Sequence, residues 1–209
     1  MRRIGTLLIL VFVITLQGCL TLKQPSHKID YYTLEYETLP FEQKGKDIPL
    51  SSILRLERFS IAPLYNTDRI IFRDRDFKRT SYRYHRWRNN PADLVTFYLG
   101  RDMRNSGRFQ AVTSYNSSIP YTHKVEGGID EFLEWDSDSG WNVVLSVNIT
   151  LLDSRETDVS KKVIFQKQFS TTKKCEEKHP EFVAKAMSLA MADISRKICS
   201  TIITSLSKK

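Results

Sequence analysis

Apart from one apolar run at its start, the chain consists of short alternations and two helical stripes. Tyr31–Tyr36 alternates and is rich in aromatics, which predicts a first strand. Residues 37–51 carry Pro40, Gly45 and Pro49 among charges and read as a loop. Ile53–Ala62 alternates with polar residues on both faces, a strand that Pro63 ends. Ile70–Phe72 and Tyr82–Trp87 predict two further short strands. Asn90-Pro91 opens a helix, because asparagine can cap and proline is preset for the first helical position. Leu94, Phe97, Tyr98, Leu99 and Met103 continue it at near-helical spacing, and Gly107 ends it. Phe109–Val112 is a short strand. Val125–Trp135 and Val143–Leu152, separated by Asp136–Gly140, predict a long antiparallel hairpin. In its second arm Val143, Leu145, Val147, Ile149 and Leu151 share one face. A charged turn over 153–160 leads to a strand over Lys162–Thr171. The last helix, 180–206, carries Phe182, Ala186, Ala190, Ile194, Ile198 and Ile202 as an i, i+4 stripe. The expected fold class is α/β (α+β): a mixed, mostly antiparallel sheet with two main helices packed on one face.

The apolar run, Ile4–Leu16, follows Arg2 and Arg3 and leads to Leu16-Gln17-Gly18-Cys19. It is shorter than the roughly twenty residues a spanning helix needs. Basic start, short apolar core and a small residue before the break read as a secretory signal. A cysteine directly after that break marks a bacterial lipoprotein, whose thiol is acylated and becomes the first mature residue. Gln17 stands where a small or β-branched residue is usual. The expected organisation is a signal peptide over 1–18, a lipidated tether over 19–30 and one periplasmic domain over 31–209. Several acyl chains hold a protein on a membrane durably, where one does so marginally. Leu20, rather than aspartate, after Cys19 points to the outer membrane, periplasmic face, with inner-membrane anchoring as the alternative.

Charge sharpens the picture. The 209 residues carry a formal net charge of +8, and Arg2 and Arg3 belong to the signal. A basic balance suits lipid headgroups, lipopolysaccharide phosphates or an acidic partner, and the export signal argues against nucleic acid. Arg69–Arg88 concentrates it: Arg69, Arg73, Arg75, Lys78, Arg79, Arg83, Arg86 and Arg88 interleave with Phe72, Phe77, Tyr82, Tyr84 and Trp87. Two readings stand side by side. One is a wet interface of arginines and amphipathic aromatics. The other is a polar edge hairpin whose charges block sheet-to-sheet aggregation.

A search for chemistry finds no nucleophile motif, phosphate loop or dinucleotide fingerprint. His27, His85, His123 and His179 have no metal-ligand spacing with one another or with cysteine. No catalytic, metal or cofactor residues are therefore expected, and the chain reads as a non-enzyme. Glu126, Asp130, Glu131, Glu134 and Asp136 read mainly as a solvated strand face, with a metal or partner contact as the alternative. Gly127-Gly128 suggests a bulge or a close backbone approach. Cys199 lies about 28 Å along the last helix from its start near Cys175, too far for a disulfide unless the segment before the helix doubles back along it.

The order of motifs adds a family. After Cys19 come Tyr31-Tyr32-Thr33-Leu34, then Arg58-Phe59-Ser60-Ile61-Ala62-Pro63-Leu64-Tyr65 and Asp68-Arg69-Ile70-Ile71-Phe72-Arg73. Tyr84-His85-Arg86-Trp87, Pro91-Ala92-Asp93-Leu94, Gly107-Arg108-Phe109 and Gly128-Ile129-Asp130-Glu131-Phe132 follow. Over nearly the whole mature chain this resembles the ABC-type transport auxiliary lipoprotein family, which includes the lipoprotein of the paraquat-inducible operon. The resemblance implies an accessory part of a system built around a mammalian-cell-entry (MCE) domain protein, moving phospholipid or other hydrophobic cargo between the two membranes. It implies an MCE-domain partner, membrane attachment through Cys19 and contact with phospholipid, and it leaves homo-oligomerisation open. Arg69, Arg73, Arg75, Arg79, Tyr84, Arg86 and Trp87 are the candidate contacts for the partner or for headgroups. A lipopolysaccharide- or outer-membrane-assembly lipoprotein is the alternative, using the same segment for sugar phosphates.

Overall fold

The computed structural model describes residues 27–37, 50–137 and 140–208. The signal peptide, Cys19, most of the tether and most of the expected loop over 37–51 lie outside the described residues. The elements run β1 (Asp30–Tyr32), β2 (Leu50–Leu56), β3 (Ser60–Ile61), β4 (Arg69–Arg75), β5 (Lys78–Trp87), α1 (Pro91–Asn105) and β6 (Phe109–Ser114). They continue with β7 (His123–Ser137), β8 (Gly140–Asp153), α2 (Val159–Lys162), β9 (Val163–Lys174) and α3 (Pro180–Ser207).

β7 is the axis of a mixed sheet. One of its edges pairs antiparallel with β8 from His123 to Ser137, and β8 pairs antiparallel with β9. The other edge receives three short strands in succession, all parallel: β2 at His123–Val125, β3 at Gly128–Ile129 and β4 at Glu134–Trp135. β6 continues the sheet beyond β2, while β5 and then β1 continue it beyond β4. α1 and α3 pack against each other and against the sheet, α3 over β8 and β9 and α1 over β6. The expected buried face of the second hairpin arm holds: Val143, Leu145, Val147, Ile149 and Leu151 are all fully buried. Ala190, Ile194, Ile198 and Ile202 of α3 are buried equally, and each isoleucine contributes on the order of 1.5–3 kcal/mol. The buried apolar residues form a single cluster.

Local signals act as the sequence predicts at α1. Asn90 Oδ1 accepts from the Ala92 amide at 2.9 Å, Pro91 is the first helical residue, and Gly107 takes φ +63° just beyond the end. Elsewhere the sheet edge alters the expectation. The strand expected over Ile53–Ala62 is two strands, because Phe59 leaves the pairing and turns its ring over Gly127. A Cβ at Gly127 would lie 2.5 Å from that ring, so this glycine is a close-approach site. The strand expected over Tyr31–Tyr36 pairs only at Asp30–Tyr32. The chain then runs between the helices, where side chains replace a strand partner. Tyr98 Oη donates to the Leu34 carbonyl, the Glu35 amide donates to Ser188 Oγ at 2.9 Å, and Tyr36 Oη donates to buried Asp102 at 2.6 Å. The short strands expected at Ile70–Phe72 and Tyr82–Trp87 are the inner parts of one longer hairpin, β4–β5.

Candidate functional site

The β4–β5 hairpin stands partly free of the sheet. β4 touches β7 only at Phe72↔Glu134 and Arg73↔Trp135, and β5 touches β1 only at His85–Trp87. Residues 74–84 pair only within the hairpin. Its base is apolar and buried (Ile70, Ile71 and Trp87) and its end, Arg75–Lys78, is exposed. The turn falls at Asp76-Phe77, where Phe77 is fully exposed and adopts φ +60°. A bulky side chain in the left-handed region is a conformational outlier.

The candidate residues separate along this ribbon. Arg69 is exposed at the base, directly opposite Arg86, and Arg86 is neutralised by Asp68 at 3.0 Å. Arg73 pairs with Asp76 and lies 4.9 Å above the Trp135 ring. With Glu131, Leu133 and Trp135 it lines a shallow pocket of about 230 Å³. Lys78 pairs with Asp74 at 2.9 Å. Among the described residues Arg75 and Arg79 have no carboxylate in ion-pair contact, so net positive charge collects at the tip. Tyr84 is half-buried, with the His27 ring 4.5 Å away and Arg83 over its own ring. Trp87 is a correction: it is 1% exposed and meets Phe132 edge-on at 5.2 Å, so it anchors the hairpin to the core and offers no surface.

Residues not singled out as a site hold the stem in place. Tyr82 Oη donates to Glu134 Oε2 at 2.8 Å across β5 and β7, and Glu134 is 1% exposed. Burial raises the pKa of Glu134, and the Tyr82 hydrogen bond works in the opposite direction. Burial likewise raises the Tyr82 phenol, with Glu134 adding to it. Beside them Tyr32 Oη lies 3.1 Å from His85 Nδ1, and the His85 ring is edge-on to Tyr82. The sequence signal for the Tyr82–Glu134 pair is faint. Glu134 reads as one more solvated carboxylate of an acidic strand, but a bulge between Ile129 and Glu131 resets the alternation and turns it inward.

That acidic run is dispersed, not clustered. Glu126 pairs with Lys124, Asp130 accepts from Asn148 and Gln168, and Asp136 pairs with Lys178. Among the described residues no group of three acidic, histidine or cysteine side chains could hold a metal ion. His123, Thr122 and Asp153 come together, but as a strand-end lock. Thr122 Oγ1 is engaged with both the amide and the carbonyl of Ile53, and His123 is 2% exposed opposite Asp153. The thiols of Cys175 and Cys199 are free and buried, and burial pushes each up to about 12. Both therefore stay protonated and unreactive at neutral pH. No described helix is long and apolar enough to cross a membrane.

Residues 32–199 match the family model described as the ABC-type transport auxiliary lipoprotein component. No curated protein sequence matches the chain. Among solved structures, protein XCC0632 from Xanthomonas campestris is similar at 17% identity and TM-score 0.75, over 86% of this chain and 97% of that one. The hypothetical protein CT253 from Chlamydia trachomatis is similar at 11% identity and TM-score 0.52, over 76% of this chain and 99% of that one. At these identities the likeness is one of fold.

Proposed function

The chain belongs to the ABC-type transport auxiliary lipoprotein component family, and on that footing we propose that it is a non-catalytic docking domain, anchored through Cys19 to the outer membrane on its periplasmic face. Its partner is the MCE-domain periplasmic component of an ABC transport system, and its role is to assist delivery of phospholipid or other hydrophobic cargo. The observation that carries this reading is the basic ribbon itself. A hairpin held at its base by Trp87 and the Tyr82–Glu134 bond presents Arg69, Arg73, Tyr84 and Arg86 along its stem and Arg75 and Arg79 at its tip. A rigid base with long, charged side chains beyond it favours electrostatic recognition over a catalytic cleft. The stem suits an acidic protein surface, and the unpaired tip cations suit headgroups.

Affinity capture of the lipidated protein with the MCE-domain component tests this. The proposal expects co-purification, and loss of outer-membrane lipid asymmetry when the gene is deleted. No association, together with intact asymmetry, overturns it. A lipopolysaccharide-assembly role would instead show capture by sugar-phosphate-bearing lipid and no MCE partner.

A further inference from the structure

We infer that the tip of the β4–β5 hairpin, Phe77 flanked along the chain by Arg75, Lys78 and Arg79, is a second membrane contact. It sits in the anionic headgroup layer of the leaflet that holds the acyl chains on Cys19. This deepens the docking proposal and rests on its lipid anchor.

Three independent observations meet at the tip. First, Phe77 is fully exposed in a left-handed conformation, φ +60°, where asparagine or glycine would sit without strain. A bulky apolar side chain held there at a conformational cost points to a use for the side chain. Second, its charges are cationic in excess. Asp74 and Asp76 are taken by Lys78 and Arg73, which leaves Arg75 and Arg79 for an anionic surface. An exposed apolar side chain flanked by cations is the composition that binds at a lipid interface. Third, the direction of the described chain leaves the anchor within reach of this end. β1 pairs parallel with β5, Asp30 with His85 through Tyr32 with Trp87, so upstream residues head along β5 towards Lys78. His27 already lies against Tyr84, 4.5 Å between rings. From Tyr84 to Phe77 is seven residues of strand, about 23 Å. The eight residues from His27 back to Cys19 reach at most about 29 Å. The anchor can therefore reach the level of the tip but not far past it, which allows an anchored domain to bring Phe77 to the bilayer. Tip and anchor together give the two-point attachment that fixes an orientation, leaving the stem facing away from the lipid.

The test uses full-length, lipidated protein carrying Phe77→Trp, reconstituted in vesicles of phosphatidylethanolamine and phosphatidylglycerol with brominated acyl chains. Wild type supplies the background from Trp87, Trp135 and Trp141. Tyr115→Trp, half-exposed just beyond β6 at the far end of the sheet, is the control. The added Phe77→Trp emission is expected to be quenched several-fold more than that of Tyr115→Trp. Each cation near an anionic surface contributes about fivefold, so Arg75→Ala with Arg79→Ala lowers the tip's partition constant roughly 30-fold. Equal quenching at the two positions, in protein that floats with the vesicles and keeps its thermal transition, overturns the inference and leaves the anchor standing. Failure to float overturns the anchor and the inference with it. Phe77→Asn serves as the second variant: it should leave flotation intact, raise thermal stability, and lose the tip contact, read as faster proteolysis at Arg75 or Arg79 in vesicles. Unchanged protection at those arginines counts against the inference.

Discussion

Removing one oxygen from the hairpin stem, by Tyr82→Phe, tests the packing that orients the candidate surface. The ring remains to pack on Phe72, 5.0 Å away, but Glu134 loses the hydroxyl that donates to it at 2.8 Å. Glu134 is 1% exposed, so water does not replace that donor. A hydrogen bond to a buried charged acceptor is worth about 1.5–3 kcal/mol, so a loss of about 2 kcal/mol is expected where Glu134 is ionised. For a domain of this size that is roughly 4–8 °C in Tm. The effect depends on pH with a definite sign. Burial raises the Glu134 pKa above its unfolded value, so its favourable contribution is fully present below the unfolded pKa and is lost as pH rises through the folded one. The Tyr82 bond lowers that pKa and moderates the loss. Without it the folded pKa climbs further, and the variant's deficit should be larger at pH 8 than at pH 4. Thermal unfolding followed by circular dichroism at both pH values measures this. An equal deficit at the two pH values, or none at either, refutes the assignment of Glu134 as a buried, ionisable acceptor.

Gly127→Ala places a Cβ 2.5 Å from the Phe59 ring and should cost about 1–3 kcal/mol, seen as a lower Tm. Asn90→Ala removes the cap on the Ala92 amide, and denaturant unfolding should show a loss of about 1 kcal/mol. The Arg155 guanidinium holds Asp153 down to about 2. Its contribution to stability is present above the ordinary carboxylate value and lost as pH falls towards 2, so an acid titration of Asp153→Asn should lack that component. Cys19→Ala should leave the chain unprocessed or released, which membrane fractionation reads directly.

What the sequence revealed followed from local chemistry. The Asn90-Pro91 cap, the Gly107 stop and the strictly alternating Val143–Leu151 face depend on neighbours a few residues away, and each takes its expected place. The misreadings arose where long-range partners decide. Phe59 leaves its strand because Gly127 opens a slot for it, and Leu34–Tyr36 leaves the sheet because α1 and α3 supply side-chain donors and acceptors. The candidate surface was legible in its composition and not in its depth. Alternation could not tell that Trp87 packs on Phe132, or that a bulge turns Glu134 inward beneath Tyr82. The tip was legible in its basic-aromatic composition, but as a turn only as a gap between two expected strands. Its significance lies in the φ of Phe77 and in the direction of β1, neither of which a linear pattern encodes.

The central claim is that the hairpin stem meets the MCE-domain component. Photocrosslinking in intact cells tests it most directly, with the photoreactive residue placed at Arg69 or Arg86 on the stem, or at Lys197 on α3 as the control. The account predicts an adduct with the MCE-domain component from the stem positions and none from Lys197. An adduct from Lys197 alone, or from no position in cells that assemble the transport system, contradicts it.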